Sequence, residues 1–580
     1  MRVRNSHNDR NNMGQYQPTE ATSLLREQLN RSGSSGRIRH IQLPKLRTAT
    51  GSPKERNATI TLALVYLAAT LGSSSLGVFS IPATRILEDI LCRQHYSGAG
   101  DSSDVPIDER LCKVDAIQSR LAFIFAYYFT VRSVVSVLAT LPWSIVADRF
   151  GRRPVLIAAP IGLLLDQTLF AVACRFSTVI PLQVAWLSPT LNIVGGGVPT
   201  LLATLLSMVA DIVPETSRGV AFVGLHVAGM TGIALTPSLS AFMADRLGPW
   251  PVLLFAISLA AMATIIFVAI PESLPNEKRR KGQLDDALDA EAEHDGIKGL
   301  ARNVLYRLKE SFTLLRSTPL LLLLGTSLAV QPINSSVGQF LNQFVSKRYG
   351  VSLAQTGYVQ SAYGISHLFV AIVLIPMLSS WLLGRTNTSG IHVEVGSPRS
   401  PAPLLAPETP IVEAPPVLDV DGPDRESASS SNTAAAHRRD MLLARASFAV
   451  LVVGAVLIAL APSLSACLAG LLVLSLGAGF NSLTRSLVAV FVDVRHRTRV
   501  FGLLGIAEEF GTIYAHPFLA VSLSFGMRLD SESRGWFPWI GLPYLGIAIL
   551  TALATGLLFF VRVPQGRAVV SEQAEEGETW

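Results

Sequence analysis

The feature that most constrains this chain is a succession of apolar runs, each long enough to cross a lipid bilayer. Crossing a hydrocarbon core of about 30 Å takes a helix of roughly 20 mostly apolar residues. Twelve stretches reach that length. The first six are about 58–84, 118–146, 154–175, 177–211, 217–243 and 249–271, and the second six are about 318–345, 354–384, 442–461, 463–490, 497–526 and 536–561. They are built of Leu, Ala, Val and Ile with scattered Gly and Pro, which suits helices rather than barrel strands. Composition agrees: only 16% of residues are charged, against about 25% in a soluble chain. The expectation is an all-α integral membrane protein.

The first 57 residues are polar, so no cleaved signal peptide is expected. They carry 11 Lys/Arg against 4 Asp/Glu and read as a disordered basic tail, free or resting on anionic lipid head groups. Twelve spans put both termini on one face. With that face cytoplasmic, roughly 23 Lys/Arg lie inside and roughly 9 outside, which obeys the positive-inside rule.

Between spans 2 and 3 the chain reads "ADRFGRRP", four charges in a corner between apolar segments. Gly151 permits a tight turn, and Pro154 suits the first turn of a helix. Interfacial anchoring explains the arginines but not Asp148. The phrase resembles the G-x-x-x-D-R-x-G-R-R signature of the major facilitator superfamily, with Asp148, Arg149, Gly151, Arg152 and Arg153 in place and Ser144 where the leading Gly belongs. That resemblance covers about residues 58–562 and implies twelve transmembrane helices in two six-helix pseudo-repeat halves. It also implies a gate latch. Asp148 would dock near the N-terminus of helix 11, where the positive helix end favours an anion, and Arg152 would pair with Asp211 at the end of helix 4.

The expected organisation is a tail (1–57), an N-terminal half (58–271), a cytoplasmic linker (272–317), a C-terminal half (318–562) and a tail (563–580). Within the second half, 386–440 holds eight Pro between Pro398 and Pro423 and reads as a disordered insertion. Only Gly384 and Arg385 echo the corner motif between spans 8 and 9. Cys92 and Cys112 flank the loop between spans 1 and 2, outside, where disulfides persist. The phrases around them resemble fungal members of the superfamily, and a Cys92–Cys112 bridge is expected. Cys174 and Cys467 read as buried small hydrophobes. Neither a metal-ligand pattern nor a cofactor motif occurs.

Charges inside spans cost about 2.5–3.5 kcal/mol at a helix centre and are functional candidates. Arg132 and Asp166 lie at similar depth in spans 2 and 3, where they could form an ion pair facing a central cavity. Arg485 lies in span 10. Glu508 and Glu509 lie about 14 Å deep in span 11 at 1.5 Å per residue. Adjacent helical residues point about 100° apart, so one of these two glutamates should face the cavity. Each acid fits either a proton carrier or a structural ion pair. Gln331, Asn334, Gln339, Asn342 and Gln343 in span 7 could line the pathway. His226 and His516 read as hydrogen-bonded packing residues.

Proton-driven exporters of the superfamily carry G-x-x-x-G-P-x-x-G-G in helix 5. Here Gly232, Thr236, Pro237 and Ser240 hold the pattern with small substitutes, which equally suits close helix packing. Against export, "IPESLP" after span 6 resembles sugar uptake carriers. The resemblance as a whole implies a secondary active transporter, not an enzyme, that exports small organic molecules such as drugs or secondary metabolites by proton antiport. Nutrient or sugar uptake, or a non-transporting membrane sensor on the same fold, are the alternatives. The partners are a small organic substrate, protons and the bilayer, with no nucleic acid and a monomeric state expected. The plasma membrane is the expected site; "EATSLL" (20–25) fits a dileucine sorting pattern for vacuolar or endosomal membranes.

Overall fold

The computed structural model describes residues 53–97, 108–272, 317–374, 377, 423–480, 484–485, 487–488, 497–532 and 538–561. The tails, most of the linker and residues 386–422 lie outside the described residues, as does the echo at Gly384 and Arg385. The chain divides into Met1–Asn57 and Ala58–Trp580, and the second unit holds the membrane body.

In lipid every backbone N–H and C=O must find a partner within the protein, and the helix supplies one for nearly all of them. The apolar runs accordingly become α1 (Pro53–Ser97), α2 (Asp115–Phe150) and α3 (Arg153–Arg175). Next come α4 in two arms (Gln183–Leu187 and Gly197–Ile212), α5 (Glu215–Leu247) and α6 (Pro249–Ala269). The second set is α7 in two arms (Thr318–Ser336 and Gln339–Tyr349), α8 (Leu353–Phe369), α9 (Pro423–Leu460), α10 (Leu464–Leu476), α11 (Arg497–Glu532) and α12 (Leu542–Phe560). Nine of the described segments pass as membrane spans by length and composition alone, and the two arms of α7, bent by 55°, pass as a tenth. Helices α10 and α11 complete the twelve-helix arrangement.

Two expectations about the spans change. Helix α9 begins at Pro423, inside the stretch read as disordered insertion; the polar residues before 442 continue the helix instead of ending it. Span 4 is not continuous. A 3-10 turn at Ser188–Ile193 and three glycines with positive φ, Gly195, Gly196 and Gly197, separate its arms. No other residue type adopts three such conformations in succession without strain. A side chain at Gly195 would also strike the α3 backbone at Ala159.

The N-terminal half holds two buried cores, and the core of the C-terminal half also takes in Ala122 and Ala126 of α2. The halves meet most extensively along α2–α11 and α5–α8. The small residues of α5 make those approaches possible. Gly232 faces Ser73 and Ser74 of α1, Ser240 Oγ donates to Val78 O at 2.9 Å, and Ala234 and Pro237 meet Gly364 and Gly357 of α8. Thr236 Oγ1 turns back to Gly232 O. Pro237 interrupts the helical ladder, and the adjacent Ser238 N–H donates across the interface to Ser361 Oγ at 2.8 Å.

Cys92 and Cys112 are bonded, and Cys174 and Cys467 are free and buried. The bridge joins residues 20 apart, and closing a loop of that size stabilises by about 3 kcal/mol in the chain-entropy account. A Cys92→Ser/Cys112→Ser variant should therefore melt at a lower temperature in detergent than the wild type. Peptide mapping without reductant should find neither thiol alkylatable in the wild type.

Candidate functional site

The break in α4 determines the surroundings of the deepest acid. By bending there, the chain brings Ser188 and Asn192 onto α3, where Ser188 Oγ donates to Asp166 Oδ1 at 2.8 Å and Asn192 Nδ2 to Asp166 Oδ2 at 3.0 Å. Tyr128 of α2 adds an O–H···Oδ2 bond of 3.1 Å. Asp166 is 1% exposed, so all three bonds are made away from bulk water. The expected Arg132–Asp166 ion pair is not formed: both residues line one cavity of about 170 Å³, yet no charge pair within 4 Å joins them. Equal depth on neighbouring helices does not fix direction, and the tyrosine one turn before Arg132 takes the position instead.

Glu508 and Glu509 part as helical geometry requires. Glu508 pairs with Arg485, which follows α10 in the chain, at 3.0 Å. Glu509 turns the other way, accepting from Thr512 Oγ1 at 3.3 Å in the region of Arg132 and Ser133 of α2. Ser133 and Thr512 themselves share a hydrogen bond of 2.8 Å across the two halves. The central polar cluster is thus Asp166, Arg132 and Glu509, with His516 stacked on Phe129 at 4.5 Å beside it. His516 and His226 make no hydrogen bond among the described residues; His226 is exposed and borders an apolar chamber instead of packing. Gln331 is buried against Gly511 of α11 and receives Asn334 Nδ2 at 3.1 Å. Neither residue lines the 170 Å³ cavity or the apolar chamber.

At the corner motif the structure places Arg152 Nε 3.7 Å from Asp211 Oδ2. The side chains of Asp148 and Arg149 lie outside the described residues, as does the start of the chain leading into α11. Sequence reasoning missed Glu272. From the end of span 6 its two carboxylate oxygens accept the Arg152 and Arg153 N–H groups at 3.0 Å each. An acid at the start of α3 satisfies donors that have no intrahelical partner and complements the helix dipole. Gly151, at φ 102°, leaves room for that carboxylate, and any Cβ there would strike it. The phrase "IPESLP" contained this acid, but nothing in the sequence tied it to a turn 120 residues away.

On the face that carries the disulfide, the halves are clasped. Lys347 of α7 reaches Asp115 Oδ1 at 2.5 Å and Lys113 O at 2.6 Å. Gln343 donates to Gln118 O at 2.6 Å, Asn342 to Ser80 Oγ at 2.8 Å, and Gln339 to Ser80 O and Thr84 Oγ1. The Leu353 N–H donates to Glu109 at 2.8 Å. Beneath them Glu88, wholly buried, accepts from Arg85, Lys113 and Gln118 at 2.6–2.9 Å. Fully bonded, such a carboxylate tolerates burial; stripped of one partner it would not. No cluster of three or more metal-ligating side chains occurs among the described residues.

Comparison with known proteins agrees with this architecture. A family model, Major Facilitator Superfamily, matches residues 57–393. The MFS efflux pump atnC of Emericella nidulans is 26% identical over 517 residues, spanning 88% of this chain and 89% of the pump. The efflux pump ustT of Aspergillus flavus is 23% identical over 455 residues, 77% and 79% of the two chains. Among solved structures, a D-xylose-proton symporter superposes with a TM-score of 0.55 at 14% identity, covering 87% of this chain and 98% of that one, a likeness of fold.

The corner predicts its own test. Glu272→Ala strands two helix-start donors and should destabilise by about 1–3 kcal/mol, and Gly151→Ala should do comparable harm. Arg153→Ala, which loses one 3.4 Å contact to Val268 O, should cost less. Melting temperatures of the purified variants in detergent give the order.

Proposed function

Because the chain belongs to the major facilitator superfamily, and so is a multi-pass membrane transporter and not an enzyme, we propose that it exports small organic molecules by proton antiport. The observation that carries the reading is the pair Asp166 and Glu509. Each is an acid at mid-depth beside the interface between the halves, and neither has an ion pair within 4 Å among the described residues. Intramembrane acids without a fixed counter-ion are the groups through which proton pathways run in carriers. Two relatives named as efflux pumps, each matched over more than three quarters of this chain, support export over uptake.

The division of labour follows from position. Asp166, held by Tyr128, Ser188 and Asn192, sits on the N-terminal half; Glu509 sits on α11 of the other half, with Arg132 between their fields. Rocking the halves changes the Arg132–Glu509 separation while the bonds to Asp166, all within one half, persist. A proton taken at one acid and released at the other would then accompany alternating exposure of the cavity. The clasp closes one face, while at the other the bonds of the corner among Arg152, Asp211 and Glu272, all within the N-terminal half, persist as those to Asp166 do. With the termini cytoplasmic, the clasp is outside, and the plasma membrane is the proposed location, with vacuolar or endosomal membranes as the alternative that "EATSLL" would direct.

Flux in proteoliposomes with an imposed pH gradient, across a panel of amphipathic compounds and sugars, tests the reading. Export against a proton flow should fall at least about tenfold in Asp166→Asn and in Glu509→Gln. Glu508→Gln, which loses only the Arg485 pair, should retain the coupling. Flux that ignores the gradient in the wild type would sink antiport, and proton-driven accumulation on the opposite side would make the protein an uptake carrier.

A further inference from the structure

Two adjoining chambers, the smaller lined by both halves and the larger by the N-terminal half alone, differ in chemistry. One, of about 320 Å³, is walled by α1, α3, α4, α5 and α6 with Gly72, Leu201, Leu205, Met230 and Phe267, and is almost wholly apolar. The other, of about 170 Å³, holds Arg132, Asp166, Tyr128, Gln339 and Gln360. Leu76, Leu163, Gln167 and Ile233 line both, so the chambers adjoin. Sites for drug-sized molecules occupy roughly 300–1,000 Å³ and combine mostly apolar walls with a few polar anchors.

Two polar side chains in the smaller chamber are without partners among the described residues. Gln360 is 7% exposed, and its Oε1 has no hydrogen bond. No described group pairs with the Arg132 guanidinium. The chamber's other polar groups are already engaged: Asp166 by three donors, Gln339 by Ser80 and Thr84, and Gln167 by Ser75. A buried polar atom without a partner costs free energy that a ligand can recover.

We propose that the two chambers form one bipartite substrate site for an uncharged amphipathic amide. Its carbonyl oxygen accepts from Arg132, its N–H donates to Gln360 Oε1, and its apolar body fills the larger chamber. A carboxylate in the head position would face Asp166 in the same wall; an ammonium group would face Arg132. The neutral amide supplies one acceptor and one donor with neither conflict. The proposal rests on the transporter reading but not on its proton coupling.

One position makes the apolar chamber testable. Gly229 of α5 lines the chamber, and a Cβ built on it meets nothing within 4 Å, so a side chain can be introduced at this wall. The experiment measures binding of N-alkyl acetamides of graded chain length to the full-length protein in nanodiscs, with empty nanodiscs as blank. Alkyl acetates of equal length, which lack the N–H, serve as the paired probes. In the wild type, affinity should rise about fourfold per methylene until the chamber is full, and amides should exceed esters by about three- to tenfold. Gly229→Leu should abolish the gain from the longest chains and keep the amide preference, with Gly229→Ala intermediate as the milder replacement. Gln360→Leu should erase the amide preference and keep the chain-length gain. Equal binding of amides and esters by the wild type overturns the head-group assignment. Unchanged chain-length dependence in both Gly229 variants overturns the chamber. Wild-type binding without any flux would instead count against the exporter reading alone.

Discussion

A backbone N–H or C=O in the hydrocarbon core has no water to bond, and this one constraint shapes the whole molecule. It makes unbroken helices the default and confines irregular backbone to places where protein surrounds it. Among the described residues two such breaks fall within spans, in α4 at Ser188–Gly197 and in α7 between Ser336 and Gln339. Both are put to use. The first supplies two of the three donors around Asp166; the second delivers Gln339, Asn342 and Gln343 to α1 and α2. Where the ladder is interrupted, the chain places polar side chains that the halves then share.

The polar interactions between halves are graded along the spans. On the disulfide face they are many, short and partly ionic; near the centre they thin to Ser133–Thr512, Thr130–Ile513 O and Ser238–Ser361. Lipid-exposed apolar faces give no preference for one arrangement of the halves over another, because leucine against lipid and leucine against leucine are nearly equivalent. Hydrogen bonds and close approach at glycines therefore choose the arrangement. Gly357 and Gly364 admit α5 to within backbone contact, and a larger residue at either would part the helices.

Much of this was legible in the sequence. The twelve runs, the corner turn at Gly151, the bridge between Cys92 and Cys112 and the divergence of Glu508 from Glu509 follow from length, turn chemistry, resemblance to relatives and helical geometry. What was not legible depended on direction or on distance along the chain. Arg132 and Asp166 share a depth, but azimuth decided that Tyr128 would meet the acid. Glu272 caps a helix whose first turn lies 120 residues earlier. The run "NIVGGGVP" did announce the break in α4, since three glycines before a proline cannot continue a helix well, but a hydropathy reading sees only an apolar stretch. Gln360 gave no signal at all, being one of two glutamines in its helix.

The disulfide carries an implication about the order in which the molecule is made. Cys92 lies near the end of α1 and Cys112 in the turn before α2, so closure of the bridge requires nothing that is synthesised later. The turn at Glu109–Lys113 can be pinned, and Glu88 enclosed by Arg85, Lys113 and Gln118, while the ribosome is still far from Lys347. The later half would then meet a finished socket: Asp115, the Lys113 carbonyl and Glu109 already stand where the ammonium of Lys347 and the Leu353 N–H will arrive. Long chains generally fold N-terminal units first as they are synthesised, which would let early units template later ones. In this protein the template is one crosslinked turn.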